Sequence, residues 1–136
     1  MQAYQVKAKK LTGSSYAELE PKARRLYRIE QHRTKRTPYI RSAYFKKDKV
    51  FLTHFWNHMA QKRQRDRKRR LRYLPCAIDL IRHSHVEPVS KENPNKRTVI
   101  LHRFAGITEN KEVFYVQITE DKKTGNKYLV SVFPAG

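Results

Sequence analysis

Residues 113–134 read VFYVQITEDKKTGNKYLVSVFP, two runs of alternating apolar and polar residues joined by the turn sequence KTGN. Alternation is typical of strands with one buried face, and glycine tolerates the positive φ that a tight hairpin turn requires. The pattern therefore predicts a hairpin with strands at 113–119 and 128–133. The upstream segment TVILHRFAGI, residues 98–107, predicts a further strand, which completes a small antiparallel sheet over 98–133.

Alternation also predicts which side chains share a face of this sheet. His102 and Arg103 are neighbours in sequence, so we expect them on opposite faces. The outward face is expected to carry Arg103, Tyr115, Gln117 and Ser131. In the last strand, the pattern assigns Tyr128, Val130 and Val132 to the core, and Leu129, Ser131 and Phe133 to the outward face.

Helical patterns precede the sheet. Ser15 and Glu18 have capping-box spacing, which predicts a helix that runs to about His32. Residues 50–72 combine a wide apolar face with a basic end and predict one long helix. Pro75 predicts the start of another helix, which ends near Ser84. The expected fold is therefore α+β, with N-terminal basic helices followed by a helix packed on a small antiparallel sheet.

Positive charge is concentrated in the first half of the chain. The 136 residues include 31 Lys and Arg against 12 Asp and Glu, a formal net charge of +19. Residues 1–75 hold 22 of these basic residues and 5 of the acidic ones. We expect a basic N-terminal arm or helix over 1–40, with residues 1–14 mobile, and an α+β nuclease-like domain over 41–136. Nucleic acid is the partner that this charge favours first, and an acidic protein or a membrane surface is the second choice.

Composition excludes several classes. No apolar run approaches the roughly 18 residues of a transmembrane helix, and the N-terminus lacks the apolar segment of a secretory signal. We therefore expect a cytoplasmic protein without a membrane partner. Cys76 is the single cysteine, which predicts neither a disulfide nor a multi-cysteine zinc site. The sequence has no glycine-rich phosphate motif, so we expect no cofactor and no metal, and it favours no particular oligomeric state.

A run of basic residues is the clearest functional signal. Between residues 62 and 72, eight basic side chains accompany one acid, Asp66. An ordinary surface helix intersperses both signs of charge, whereas arginines on a helix can bind phosphates in bidentate fashion. The predicted phosphate-binding residues are Lys62, Arg63, Arg65, Arg67, Lys68, Arg69, Arg70 and Arg72.

A second signal is the combination of histidines with the outward face of the sheet. His83 and His85 lie at the end of the helix that is predicted to begin at Pro75, and histidine suits acid–base chemistry near neutral pH. RNA can be cleaved without metal when its 2′-hydroxyl attacks the adjacent phosphate, provided that a base, an acid and a cation are present. Arg103 is the candidate cation. A polar, solvent-facing sheet without chemistry is the alternative interpretation.

Residues 75–136 resemble a known group of nucleases. The helix PCAIDLIRHSH precedes the strands LHRFAGI, VFYVQITEDKKTGNKY and LVSVFPA. This arrangement is similar to the metal-independent nucleases of the barnase, EndoU, colicin and RelE-like superfamily (the BECR fold), in its phage and mobile-element branch. In that family Ser131 would be the hydroxyl residue before the final aromatic, Phe133. Arg103 and His102 would match the basic position of an earlier strand.

The resemblance implies an RNA-binding protein with endoribonuclease activity, toxin-like and associated with a phage or mobile element. Arg103 would then stabilise the transition state, and His83 or His85 would transfer protons, with His102 as the second choice. Tyr115, Gln117 and Ser131 would orient the RNA. Two alternatives remain open. One is a nucleic-acid-binding module without catalysis, and the other is a basic protein bound by an acidic antitoxin or inhibitor.

Overall fold

The computed structural model describes residues 2–136, which form four helices and seven strands. The helices are α1 (Tyr16–Arg33), α2 (Thr53–Ala60), α3 (Gln64–Leu71) and α4 (Leu74–His83). The strands are β1 (Ala3–Gln5), β2 (Tyr39–Arg41), β3 (Lys49–Phe51), β4 (Val89–Asn93), β5 (Lys96–Ile107), β6 (Val113–Asp121) and β7 (Lys127–Pro134). The fold is α+β, as predicted.

All seven strands belong to one mixed sheet, so the predicted small antiparallel sheet is wrong. The strand order is β1-β5-β6-β7-β3-β2, and β4 lies beside β5 on the edge that β1 also uses. The central strands β5, β6 and β7 are antiparallel, as predicted, whereas β1–β5 and β3–β7 are parallel pairs. The sheet curls into a half-barrel. Of the four added strands, β1, β2 and β3 have three residues each, too few to show a pattern of alternation.

The core lies between one face of this sheet and the helices. Helix α4 is central, because seven of its ten residues are buried, from Leu74 to Ile81. Its prediction from Pro75 is confirmed, as is that of α1, where the Ser15 side chain accepts a hydrogen bond from the Glu18 backbone N–H. Among residues 2–136, no helix combines the length and the apolar character that crossing a bilayer requires.

The N-terminal segment, predicted to be mobile, is anchored on α4. Strand β1 pairs with the end of β5, and Val6 is buried. The Asp79 carboxylate accepts hydrogen bonds from the Tyr4 hydroxyl at 3.0 Å and from the backbone N–H groups of Lys7 and Ala8 at 2.7 and 2.9 Å. The expected boundary at residue 40 falls inside β2, and Val6, Ala23 and Ile40 share one core with the later elements.

The single helix predicted over 50–72 is wrong. Its first residues form β3, and the remainder divides into α2 and α3 because Arg63 takes an extended conformation, with φ −65° and ψ 151°. The Arg67 guanidinium donates hydrogen bonds to the backbone carbonyls of Ala60 and Lys62, at 2.9 and 2.8 Å. It thereby satisfies carbonyl groups at the end of α2 that no longer have a helical partner. One cation of the basic run is therefore a helix cap.

Two further expectations are corrected in the sheet. Residues 86–97, predicted to be a loop, contain β4 and the start of β5, since an edge strand exposed on both sides has the polar composition of a loop. In β7, Ser131 pairs with Gln117 but Leu129 pairs with Ile118, so Val130 is an extra residue in a β-bulge. The bulge reverses the alternation, which turns Leu129 into the core and places Tyr128 beside Thr119 on the other face.

Gly106 is required by close packing. A Cβ atom at this position would lie 2.3 Å from Cζ of Phe114, its partner across the β5–β6 pair, and 3.0 Å from Cδ1 of Leu80. We expect Gly106→Ala to lower the free energy of unfolding by about 3 kcal/mol, as overpacking of a rigid core does. Chemical denaturation measures this loss. The double variant Gly106→Ala/Phe114→Leu should lose less than the two single variants together, and additive losses would contradict the packing explanation.

Two tyrosines make stability depend on pH in the alkaline range. Burial and then the Asp79 carboxylate raise the pKa of Tyr4 to about 12, and burial and then Glu112 raise the pKa of Tyr73 to about 12. A raised folded-state pKa means that the unfolded chain releases these protons first, above its ordinary pKa near 10. The free energy of unfolding should therefore fall as pH rises from about 10 to about 12. Chemical denaturation at pH values below and above 10 measures this change in the free energy of unfolding. An equal change in the variant Tyr4→Phe/Tyr73→Phe would contradict the assignment to these two tyrosines.

Candidate functional site

Four predicted site residues share the outward face of the central strands. Arg103 pairs with Gln117 and Gln117 with Ser131, so these three form a row across β5, β6 and β7. Tyr115 lies two residues from Gln117 on the same face and pairs with Phe133. The Arg103 Nη2 atom donates a hydrogen bond to Gln117 Oε1 at 3.3 Å. Alternation alone was sufficient to predict this grouping.

Arg70 reaches the same face from α3, which the sequence did not indicate. Its Nη1 atom donates a 2.7 Å hydrogen bond to Ser131 Oγ, and its Nε atom donates to Asp66 Oδ2 at 3.0 Å. The Arg70 side chain is 15% exposed, so it is held in place. The sequence predicted Arg70 only as one of eight phosphate ligands, because contact between α3 and β7 cannot be inferred from local patterns. We call the group the sheet-face cluster, and its members are Arg70, Arg103, Tyr115, Gln117, Ser131 and Phe133.

An aromatic pair brings the two arginines of the cluster together. The Tyr115 and Phe133 rings have centroids 5.5 Å apart. The Arg103 guanidinium carbon lies 5.4 Å from the Phe133 centroid and 5.7 Å from that of Tyr115, and the Arg70 carbon lies 5.3 Å from Phe133. Asp66 offsets part of this charge but also pairs with Arg69. The cluster thus has two arginines, an amide, a hydroxyl and a phenol on an aromatic floor, a donor-rich surface suited to an anion.

His102 lies on the opposite face from Arg103, as predicted. It is 7% exposed and packs against Phe45, with ring centroids 5.0 Å apart. Its Nδ1 atom is 2.6 Å from Ser90 Oγ, and its Nε2 atom is 2.8 Å from Glu120 Oε1. Both ring nitrogens therefore have hydrogen-bond partners inside the fold. The structure does not bring His102 into the sheet-face cluster.

His83 and His85 are also separated from the cluster. Both are exposed at the end of α4, where they line a groove together with Tyr44. Tyr44 packs against Phe104, with ring centroids 5.6 Å apart. Phe104 is buried on the face of β5 opposite to the face that carries Arg103. The sheet consequently lies between these histidines and Arg103. His83 and His85 therefore cannot transfer protons at the sheet-face cluster, as had been predicted for one of them.

Five of the eight cations in the basic run have partners within the protein. Besides Arg67 and Arg70, the side chains of Lys68, Arg69 and Arg72 donate to the backbone carbonyls of Ser14, Gly136 and Gly13 respectively. For Lys62, Arg63 and Arg65, residues 2–136 provide no side-chain hydrogen bond or ion pair. Arg63, Arg65, Asp66 and Arg69 line a shallow depression of about 310 Å³. The segment is thus partly structural and partly available to a ligand.

Comparisons with family models, with curated proteins and with solved structures found no match to this chain. Within residues 2–136, no group of three or more His, Cys, Asp or Glu side chains is arranged to hold a metal ion. A function for the chain therefore has to come from the chemistry of its own side chains.

Proposed function

We propose that the chain binds RNA and cleaves it without a metal ion, with the sheet-face cluster as the catalytic centre. The observation that carries the proposal is the convergence of Arg70 and Arg103 on the Tyr115–Phe133 pair. The resemblance of residues 75–136 to the barnase and RelE-like nucleases, which implies catalysis on the open face of a sheet, supports the same site. The net charge of +19 supports a polyanionic substrate.

In the proposed reaction, the RNA 2′-hydroxyl oxygen attacks the adjacent phosphorus and its proton leaves to a base. The bond from phosphorus to the 5′-oxygen breaks, and that oxygen takes up a proton, which leaves a 2′,3′-cyclic phosphate. Arg103 and Arg70 stabilise the charge that develops on the phosphate oxygens. The Tyr115 hydroxyl donates the proton to the leaving 5′-oxygen, and water accepts the proton of the 2′-hydroxyl and later returns one to Tyr115. Gln117 and Ser131 orient the phosphate, and a nucleobase stacks on Phe133.

The basic helices supply affinity in this proposal. Lys62, Arg63 and Arg65 contact phosphates that flank the cleaved bond, and each neutralised phosphate releases counterions. Of the remaining cations, Arg70 contacts the sheet at Ser131, and the other four donate hydrogen bonds to neighbouring backbone carbonyls. RNA affinity should therefore fall steeply as salt is raised.

One observation favours an alternative, a nucleic-acid-binding module without catalysis. The sheet-face cluster contains no histidine, the usual group for proton transfer near neutral pH. The same arginines and aromatics would then hold single-stranded RNA by ion pairing and stacking alone. Binding of an acidic inhibitor to the same cations would not distinguish the two candidates.

The test is an RNA cleavage assay in EDTA with purified protein. We expect cleavage that resists the chelator and leaves 2′,3′-cyclic phosphate ends. The matched substrate carries a 2′-deoxyribose at the cleaved position, and it should bind equally well but stay intact. Binding without cleavage of either substrate would establish the non-catalytic module, and cleavage of the deoxy substrate would exclude attack by the 2′-hydroxyl.

A further inference from the structure

A second cationic site lies on the other side of the sheet, between the turn after β2 and the end of α4. It is a groove of about 960 Å³ lined by Arg41, Ala43, Tyr44, Lys46, Lys47, Arg82, His83 and His85. Its lining contains four permanent cations and two histidines but no carboxylate. A backbone hydrogen bond of 3.0 Å from Ala43 N–H to the Ile81 carbonyl ties the turn to α4. The two walls of the groove are therefore fixed relative to each other.

The turn that carries the two lysines is held in an unfavourable backbone conformation. Lys46 and Lys47 have φ values of 55° and 70°, the left-handed region in which glycine or asparagine is usual. Hydrogen bonds fix this geometry, because Lys47 N–H donates to the Ser42 carbonyl at 2.7 Å and Arg41 Nη1 donates to the Lys47 carbonyl at 3.0 Å. Strain of this kind is concentrated at binding sites. Lysine at both positions disfavours the left-handed backbone conformation of the turn but places two ammonium groups at the groove.

Arg82 is preorganised in the opposite wall. Its Nη2 atom donates a 2.7 Å hydrogen bond to Glu30 Oε1, and the Glu30 side chain is 7% exposed. Glu30 also pairs with Arg33, at 3.5 Å. This carboxylate offsets the charge of Arg82 and holds its guanidinium at the groove, while Arg41, Lys46 and Lys47 have no carboxylate within ion-pair distance among residues 2–136. The groove therefore retains a net positive charge.

From these observations we propose that the groove binds a nucleoside 5′-phosphate, with the phosphate on Lys46, Lys47 and Arg82. Its volume is within the range of small-molecule pockets, and Tyr44 supplies an aromatic wall for the base. The same chemical group occurs in a free nucleotide and at the 5′-phosphorylated end of an RNA. This site goes beyond the proposed nuclease function, because the sheet separates it from Arg103.

Isothermal titration calorimetry with ADP, AMP and adenosine tests the proposal. We expect ADP and AMP to bind and adenosine to bind at least tenfold more weakly. The variant Lys46→Gly/Lys47→Gly removes both ammonium groups while suiting the left-handed backbone, so its melting temperature should be equal or higher and its affinity for ADP at least tenfold lower. The control Lys122→Gly/Lys123→Gly removes the same charge from the exposed β6–β7 turn and should bind ADP normally.

Several outcomes would overturn the proposal. Equal affinity for adenosine and ADP would show that the phosphate is not recognised. If both lysine-pair variants lowered the affinity for ADP equally, the loss would be explained by net charge rather than by the groove. If the glycine variant failed to fold, the variant His83→Glu/His85→Glu, which changes two exposed positions in the same groove, would replace it. The same loss of affinity for ADP is expected.

Tighter binding of a 5′-phosphorylated trinucleotide than of its 5′-hydroxyl form and of ADP would identify the RNA end as the source of the phosphate. Arg103→Ala should retain ADP binding, so failure of the nuclease proposal is distinguishable from failure of this one.

Discussion

Arg103→Ala is expected to reduce the rate of RNA cleavage at saturating RNA by about 100- to 1,000-fold. Removal of one preorganised donor to a developing oxyanion has an effect of this size. Arg103 is exposed and lies over Tyr115 and Phe133, so it can reach a phosphate placed on the aromatic pair. Its side chain contributes to the fold through the exposed 3.3 Å hydrogen bond to Gln117 and through its contacts with these two rings. Stability should therefore change by less than about 1 kcal/mol.

Single-turnover cleavage in EDTA, measured across RNA concentrations, separates the rate from the affinity. The matched control is Arg97→Ala, which removes the same side chain from the same strand at an exposed position far from the cluster. Arg97→Ala should leave the saturating rate within about twofold of wild type and weaken binding slightly, as loss of one cation does. An equal loss of rate in both variants would assign the effect to overall charge. An unchanged rate in Arg103→Ala would remove the sheet-face cluster as the catalytic centre.

Local patterns predicted the elements whose stability is local. The β6–β7 hairpin has alternation and a glycine turn, α1 has a capping serine, and α4 has a proline at its start and a continuous apolar stripe. The short strands β1 and β3 pair with β5 and β7, which lie far away in the sequence, so no local window contains the signal for these pairs. Strand β2 pairs with the nearby β3, but three residues in each strand are too few to show alternation. The break between α2 and α3 depends on one extended residue, Arg63, within a run that is otherwise favourable to helix.

The candidate site was predictable in one respect and unpredictable in two. Alternation placed Arg103, Tyr115, Gln117 and Ser131 on one face because the bulge in β7 lies before Ser131 and leaves the later residues in phase. The contact of Arg70 with Ser131 joins residues 61 positions apart and follows from how α3 packs beside β7. The exclusion of His83 and His85 follows from the position of α4 on the core face. Neither of these long-range relations has a counterpart in residue spacing.

Asp79→Ala is expected to cause a large loss of stability, about 3 kcal/mol. The Asp79 side chain is buried in α4 and accepts three hydrogen bonds from the N-terminal segment. Alanine would remove the carboxylate acceptor of three part-buried hydrogen bonds, each of which contributes about 1 kcal/mol. The segment carries Val6 into the core and extends the sheet through β1, so its release would also expose apolar surface. Chemical denaturation should show the loss, with a melting temperature lower by roughly 10 °C.

Hydrogen exchange locates this effect in the fold. The Val6 N–H donates to the Ile107 carbonyl at 3.0 Å, so its exchange should accelerate more in Asp79→Ala than exchange of amides in the β6–β7 hairpin. Asp79→Asn keeps one acceptor oxygen and should lose less stability than Asp79→Ala. Glu87→Ala removes an exposed carboxylate from the linker after α4 and should be close to neutral. If Asp79→Ala and Glu87→Ala were equally stable, the N-terminal segment would be held by its apolar contacts alone, and the carboxylate would not be its anchor.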